Sequence, residues 1–373
     1  VTSRGTIAIH AVSRGALPLA ARLAAALGDA ELRVSERIAG DAPAGARFFA
    51  LPMRDALSAS FHEHPAHVFV MAIGAVVRMI APLLRGKGSD PAVVCLDEAG
   101  RFAVPILSGH VGGANALARR IAGAIGAQPV ITTASDVQGT IPVDLLGAEL
   151  GWRLEDPRGN ATRAAAAVVN GEPIAIVLGD GAPLRWPVGW PLPPQATLCA
   201  ALDEPACAAA EALLVVTDRT VRCDAPELAR AVLYRPRSLV LGIGCDRGTP
   251  AELVARGVEA LLAERGLALS AVRELASVDL KADEPALQAL SARLGCPLRT
   301  FPAAVLDATP GIENPSERVA RHVGTRGVAE PAALRAAGAA RLLVAKRVYT
   351  EPGAGRSMTL AVARVADARS TDD

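Results

Sequence analysis

Aromatic side chains are scarce: Phe, Trp and Tyr make up 3% of the 373 residues. A nucleic-acid surface that works by stacking needs such rings, so that class is not expected. Charge of one sign is missing too. The 39 Lys and Arg residues are balanced by 38 Asp and Glu, which leaves no broad basic footprint for a large polyanion. The cysteines (Cys95, Cys199, Cys207, Cys223, Cys245, Cys296) include no C-x-x-C pair, which fits reduced, mostly buried thiols in a cytosolic protein. No apolar run reaches the roughly 18 residues a membrane span requires, because Gly74, Arg78 and Pro82 interrupt the candidate at 68–84. The opening VTSRGTIAIHAV has no charged-then-apolar signal-peptide layout. A cytoplasmic protein with no nucleic-acid or membrane partner is the expectation.

What is present is Ala, Val and Leu in alternating strand-like and helix-like runs, in a chain long enough for two or three cores. Strand, turn, helix and strand follow one another from Thr6 to Val34, a pattern of parallel sheets with right-handed crossovers. The reading is an α/β protein with N-terminal and C-terminal α/β domains, their sheets mostly parallel or mixed, joined by a small middle domain. The boundaries fall at 1–136, 137–237 and 238–373. In the middle domain APLRWPVGWPLPPQ reads as an extended Pro- and Trp-rich loop. The third domain opens on SLVLGIGCDRGTPAEL, a strand, a Gly-rich turn and a helix with Thr249 as its cap, Pro250 first and Glu252 third.

Several motifs invite chemistry. RGKGSD (85–90) lacks the spacing and the following helix of a phosphate loop. GIGCDRG (242–248) is one residue off the dinucleotide fingerprint. In HEHPAH, His62, His64 and His67 share no face, so an exposed loop is expected over a metal site. Cys245 ends a strand in a Gly turn and reads as a buried thiol rather than a nucleophile. Ser108-Gly109-His110 is not the G-x-S-x-G elbow, so no serine-hydrolase triad is read there. The richest stretch is LSGHVGGANALARRIAGAIGA, a Gly-rich turn entering an amphipathic helix. It holds His110, for which base, ligand contact and structural roles all stay open. Asp97, at a hairpin tip, and Ser108 are further catalytic candidates.

The blocks VMAIGAVVRMIAPLL, KGSDPAVVCLDEAGRFAVPILSGHVGGANALARRIA, GIGCDRGTPAEL, SVDLKADEPAL and VAEPAALRAAG together resemble the cobalt-precorrin-5A hydrolase (CbiG) family. The third domain is similar to the stand-alone CobE proteins. The resemblance implies a hydrolase of anaerobic cobalamin biosynthesis that opens a δ-lactone on a cobalt-corrinoid and releases acetaldehyde. Cobalt would arrive inside the substrate, so no cofactor or protein-bound metal is implied. Neighbouring pathway enzymes are possible partners.

Such chemistry needs a base, an oxyanion stabiliser and holders for many carboxylates. His110 is expected to activate water or relay a proton. Backbone N–H groups of Gly112, Gly113 and Ala114 are expected to receive a carboxylate or the oxyanion, with Asn115 beside them. Arg78 and Lys87 would pair with acetate or propionate arms. Thr132, Thr133 and Asp136 sit at the next strand end. In the third domain Gly244, Cys245, Arg247, Lys281 and Glu330 match family positions and would close over the macrocycle. The competing reading is a non-catalytic corrinoid carrier or pathway chaperone. An unrelated nucleotide-binding protein fails on both Gly loops.

Overall fold

The computed structural model describes residues 6–365 apart from 87, 183–185, 188, 222–225 and 354. Lys87 and Cys223 therefore lie outside the described residues. The chain divides into two compact units, residues 1–145 and 146–373.

In the first unit the strands are β1 (Ile7–Ala11), β2 (Ala30–Ser35), β3 (Arg47–Phe49), β4 (Ala66–Val70), β5 (Ala92–Leu96), β6 (Phe102–Leu107) and β7 (Gln128–Pro129). The helices are α1 (Leu17–Leu27), α2 (Met53–Ser60), α3 (Ile73–Ile80), α4 (Ala114–Ile125) and α5 (Ala134–Gln138). They build one sheet of order β3-β2-β1-β4-β5-β6-β7. β1 to β5 are parallel, while β6 runs antiparallel to β5 and carries β7 parallel to itself.

The apolar runs explain this sheet. Both of its faces are covered, so a central strand must be apolar on every side chain rather than on alternate ones. Val68 and Val70 of β4 pack in the core with α1 and α4, whereas Phe69 faces the core with α2 and α3. Val94 and Leu96 of β5 go with the first core, Val93 and Cys95 with the second. Each such fully buried Val, Leu or Phe contributes about 1.5–3 kcal/mol. The run VFVMAIGAVVRMIAPLL is thus no single apolar element: it breaks after Val70 into β4 and the separate helix α3. The strand that precedes Thr132 and Thr133 is only two residues long, Gln128–Pro129.

The HEHPAH stretch departs from the exposed-loop expectation, since His67 lies on β4 and is fully buried. His67 Nε2 donates to the Phe61 carbonyl at 2.9 Å, which leaves its Nδ1 to accept from His10 Nε2 at 3.0 Å. His64 meets Arg33 at 2.9 Å. Among the described residues no group of three or more His, Cys, Asp or Glu is placed to hold a metal ion.

The second unit holds two five-stranded sheets. The first is made of β8 (Arg153–Glu155), β9 (Ile174–Leu178), β10 (Ala196–Cys199), β11 (Ala212–Val216) and β12 (Ala231–Arg235), in the order β10-β9-β11-β12-β8. α6 (Asn160–Asn170) and α7 (Pro205–Ala209) belong to this part. The second sheet is made of β13 (Leu239–Cys245), β14 (Val272–Val278), β15 (Leu298–Phe301), β16 (Val344–Thr350) and β17 (Ser357–Arg364), in the order β15-β14-β13-β17-β16. Its helices are α8 (Ala251–Glu264), α9 (Pro285–Leu294), α10 (Ala303–Asp307), α11 (Glu317–Val323) and α12 (Ala329–Ala337). The expected Thr249 cap is not made. Pro250 occupies the cap position of α8, and the Thr249 hydroxyl donates to the Asp246 carbonyl at 2.7 Å instead.

Asp218, fully buried after β11, ties the two sheets of this unit together. It accepts from Arg364 at 2.7 and 2.9 Å and from the Ser238 hydroxyl at 2.7 Å. Removing one partner of such a buried pair typically costs about 3–5 kcal/mol. α12 lies directly on β13 at Gly242, where a Cβ would be driven into the Ala329 carbonyl and would stand 2.9 Å from the Ala333 nitrogen. Backbone on both sides leaves nothing soft to yield. Gly242→Ala is therefore expected to destabilise the unit by about 3 kcal/mol, the upper end of the cost of overpacking. Urea denaturation would show this as a lowered midpoint, and an unchanged midpoint would mean that α12 shifts at no cost.

No helix among the described residues is long and apolar enough to cross a membrane.

Candidate functional site: the His110 cluster

At the end of β6 the chain turns sharply through Ser108, whose φ of 56° is unusual for a residue other than Gly. The Gly-rich loop then folds onto the start of α4. Gly113 takes φ 85°, a left-handed conformation that glycine adopts without steric cost, as the residue capping this helix. Its N–H donates to the His110 carbonyl at 2.8 Å, the Ala114 N–H to the Ser108 carbonyl at 3.0 Å and the Asn115 N–H to the Gly109 carbonyl at 2.9 Å. The expectation that Gly113 and Ala114 offer their N–H groups to a ligand is corrected here: the loop's own carbonyls satisfy them. Gly112 packs against the Ser108 side chain with no room for a Cβ.

The loop does deliver side chains to one place. His110 Nδ1 lies 2.9 Å from Asp144 Oδ1, and its Nε2 lies 3.0 Å from Asp136 Oδ2 and 3.2 Å from Ser135 Oγ. The buried Asn115 donates from Nδ2 to Thr133 Oγ1 at 2.6 Å and to Asp136 Oδ2 at 2.9 Å. Thr133 Oγ1 in turn donates to Asp136 Oδ2 at 2.9 Å, and Arg119 pairs with Asp136 Oδ1. Burial pushes the Asp136 carboxyl up, but the hydrogen bonds from Arg119, Thr133 and His110 prevail and hold it at about 2. Thr132 is exposed beside the cluster. His110, Asn115, Thr133 and Asp136 are thus brought together. Asp144, Ser135 and Arg119 join them although sequence reasoning passed them over; Arg119 one turn beyond Asn115 on α4 is the one local signal that pointed there.

Other candidates stand elsewhere. The Ser108 hydroxyl donates to the Asp90 carbonyl at 2.9 Å, a strut between two chain segments rather than a free nucleophile. Asp97 follows β5 and Ser108 follows the antiparallel β6, so the two lie at opposite ends of the sheet. Asp97 is corrected to a turn anchor: it accepts from the Arg101 and Phe102 N–H groups at 2.9 Å each and from Arg101 Nε at 3.1 Å. Arg78 sits exposed on α3, which starts at the same end of the sheet as Asp97, and folds back to the Gly74 carbonyl at 3.1 Å.

In the second unit, Arg247 pairs with Asp283 at 2.9 Å and Lys281 with the buried Glu284 at 3.1 Å, while Gly248 N–H donates to Glu284 at 2.9 Å. Cys245 is half-buried. Burial pushes its thiol up, and the nearby Lys281 ammonium opposes this. Gly244 packs beside Thr359 and Val328. Glu330 is corrected as a ligand contact. It is 1% exposed, and its oxygens accept from the Glu313 and Asn314 N–H groups, the Asn314 side chain and the Lys346 N–H at 2.8–2.9 Å. That set leaves it no capacity for substrate.

Three family models match the chain: Cobalamin synthesis G N-terminal over residues 55–136, Cobalamin biosynthesis central region over 141–236 and Cobalamin synthesis G C-terminus over 239–363. A cobalt-precorrin-5A hydrolase of Priestia megaterium is 36% identical over 350 residues, covering 93% of each chain. A cobalt-precorrin-5A hydrolase of Salmonella typhimurium is 34% identical over 332 residues, 88% of this chain and 91% of its own. Protein CobE of a Sinorhizobium species is 42% identical over 113 residues, 30% of this chain and 73% of that protein.

Proposed function

Because the chain belongs to the cobalt-precorrin-5A hydrolase (CbiG) family, we propose that it opens the δ-lactone of cobalt-precorrin-5A at the His110 cluster and releases acetaldehyde. The protein is a hydrolase of cobalamin biosynthesis acting on a corrinoid. The observation that carries the choice of site is the imidazole of His110 held between two carboxylates, 2.9 Å from Asp144 and 3.0 Å from Asp136.

Opening a lactone by water forms one C–O bond and breaks another. The attacking water loses a proton, and the departing bridge oxygen must later give up its own as the C–C bond breaks and the macrocycle takes the electron pair. A histidine set among carboxylates suits these proton movements. Thr132, exposed next to Thr133, and Arg119, whose side chain is 52% exposed, would meet substrate carboxylates. Cobalt enters as part of the substrate, and no further cofactor is assigned. A cytoplasmic setting accords with the five free cysteines among the described residues.

The deciding experiment is anaerobic incubation with cobalt-precorrin-5A, with acetaldehyde read through coupled alcohol dehydrogenase. Stoichiometric acetaldehyde is expected. Tight corrinoid binding without acetaldehyde would replace the hydrolase by the carrier reading.

A further inference from the structure

We infer that His110 Nδ1 and Asp144 share a proton, and that Asp144 is the positioning residue that keeps the ring a proton donor during lactone opening. The inference rests on the reading that the lactone is opened at this cluster.

The argument begins on the other side of the ring. Asp136 Oδ2 already receives Asn115 Nδ2 at 2.9 Å and the Thr133 hydroxyl at 2.9 Å, and Arg119 holds Oδ1. A carboxyl held at about 2 is an anion at neutral pH and can only accept. The 3.0 Å contact to His110 Nε2 is therefore an N–H donated by the ring, with the Ser135 hydroxyl oxygen at 3.2 Å as a second acceptor of the same hydrogen.

A neutral imidazole carries one hydrogen, and here Nε2 has it. Nδ1 nevertheless stands 2.9 Å from Asp144 Oδ1, a distance at which two bare acceptors would repel. A second hydrogen must lie between them, and it sits on the ring nitrogen, because an imidazole is more basic than a carboxylate. Side-chain exposure of 13% for each partner screens the pair from bulk water while leaving it within reach of a bound substrate.

Asp144 is held there by its neighbours. Ile141 and Val143 are each 1% exposed, and Leu145 N–H closes a turn on the Pro142 carbonyl at 2.8 Å. The shared hydrogen can pass to the oxygen leaving the lactone carbonyl, and the pair regains one from the attacking water, so protons balance over a turnover.

The test uses the full chain with its histidine rings labelled with nitrogen-15. Wild-type His110 is expected to show two ring N–H signals at neutral pH. Asp144→Asn should show one, at Nε2, because the amide can donate to a bare Nδ1. In the coupled assay Asp144→Asn should lower kcat by about 100-fold or more with KM changed less than about threefold. Asp144→Glu should recover part of that loss, and Asp144→Ala none.

A single ring N–H at His110 in the wild type overturns the inference without any variant having to fold. So does an Asp144→Asn protein that turns over at the wild-type rate. Absence of acetaldehyde from the wild type would instead count against the hydrolase reading, while the ring-hydrogen count would still decide whether the proton is shared.

Discussion

His110→Ala is expected to slow acetaldehyde release by about 10²–10⁴-fold, the range that a positioned acid–base group contributes. Binding of the corrinoid, followed by titrating its visible absorbance, should change far less. The separation follows from how the cluster is built. Asp136 keeps Arg119, Thr133 and Asn115 when the imidazole is gone, so the carboxylate and the end of α4 stay in place. The backbone of the Gly-rich loop is held through the carbonyls of Ser108, Gly109 and His110, none of which belongs to the deleted ring. What disappears is the group that moves a proton. Undiminished acetaldehyde release from this variant would remove His110 from the chemistry.

The second large effect is on stability in acid. His67 is fully buried on β4 and lies at about 4 instead of 6.5, first because burial penalises its charged form, with His64, Arg33 and His62 adding repulsion against the Phe61 carbonyl. His10, buried beside it, is also lowered, by burial first and by His67, Arg33 and His64 after that. Both rings fold neutral: the hydrogen on His67 Nε2 goes to Phe61, the one on His10 Nε2 goes to His67, and His10 Nδ1 is buried with no partner among the described residues.

In the unfolded chain these rings take up protons near 6.5, whereas in the folded chain they do so only well below that. Their stabilising contribution is therefore complete above pH 6.5 and is lost as the pH falls toward 4. His67 alone accounts for a loss of about 3 kcal/mol, and His10 adds to it. Urea unfolding between pH 7.5 and 4.5 should show the first unit weakening across that window. The double variant His10→Phe with His67→Leu removes both titrating rings and should flatten the dependence. An equally steep slope in that variant would place the acid sensitivity elsewhere.

The burial pattern behind this pair was half visible. The unbroken apolar runs that make β4 and β5 central strands can be read from VFV and AVVCL, because burial on both faces demands apolar residues at consecutive positions. That His67 belongs to that strand could not be read, since a histidine beside Pro65 has the local signature of a loop. In the middle region β8, β10, β12 and α6 carry no comparable signal in the sequence. β8 is three residues long, and α6 is an Ala-rich stretch whose buried face is only Ala164, Ala167 and Val168.

The alternation of strand and helix, the α/β class, the Gly-rich turn before α4 and the family resemblance are legible along the chain, because each is written in residues close together. Which candidates meet follows from how the strands are ordered in space. β6 reverses direction after the Asp97 turn, which sends Asp97 to one end of the sheet and Ser108 with His110 to the other. The return of the chain after β7 then brings Asp136 and Asp144 to His110 from 26 and 34 residues away. No local pattern carries that information, because the pairing is fixed by strand order and by the hydrophobic anchoring of Ile141 and Val143 rather than by any spacing in the sequence.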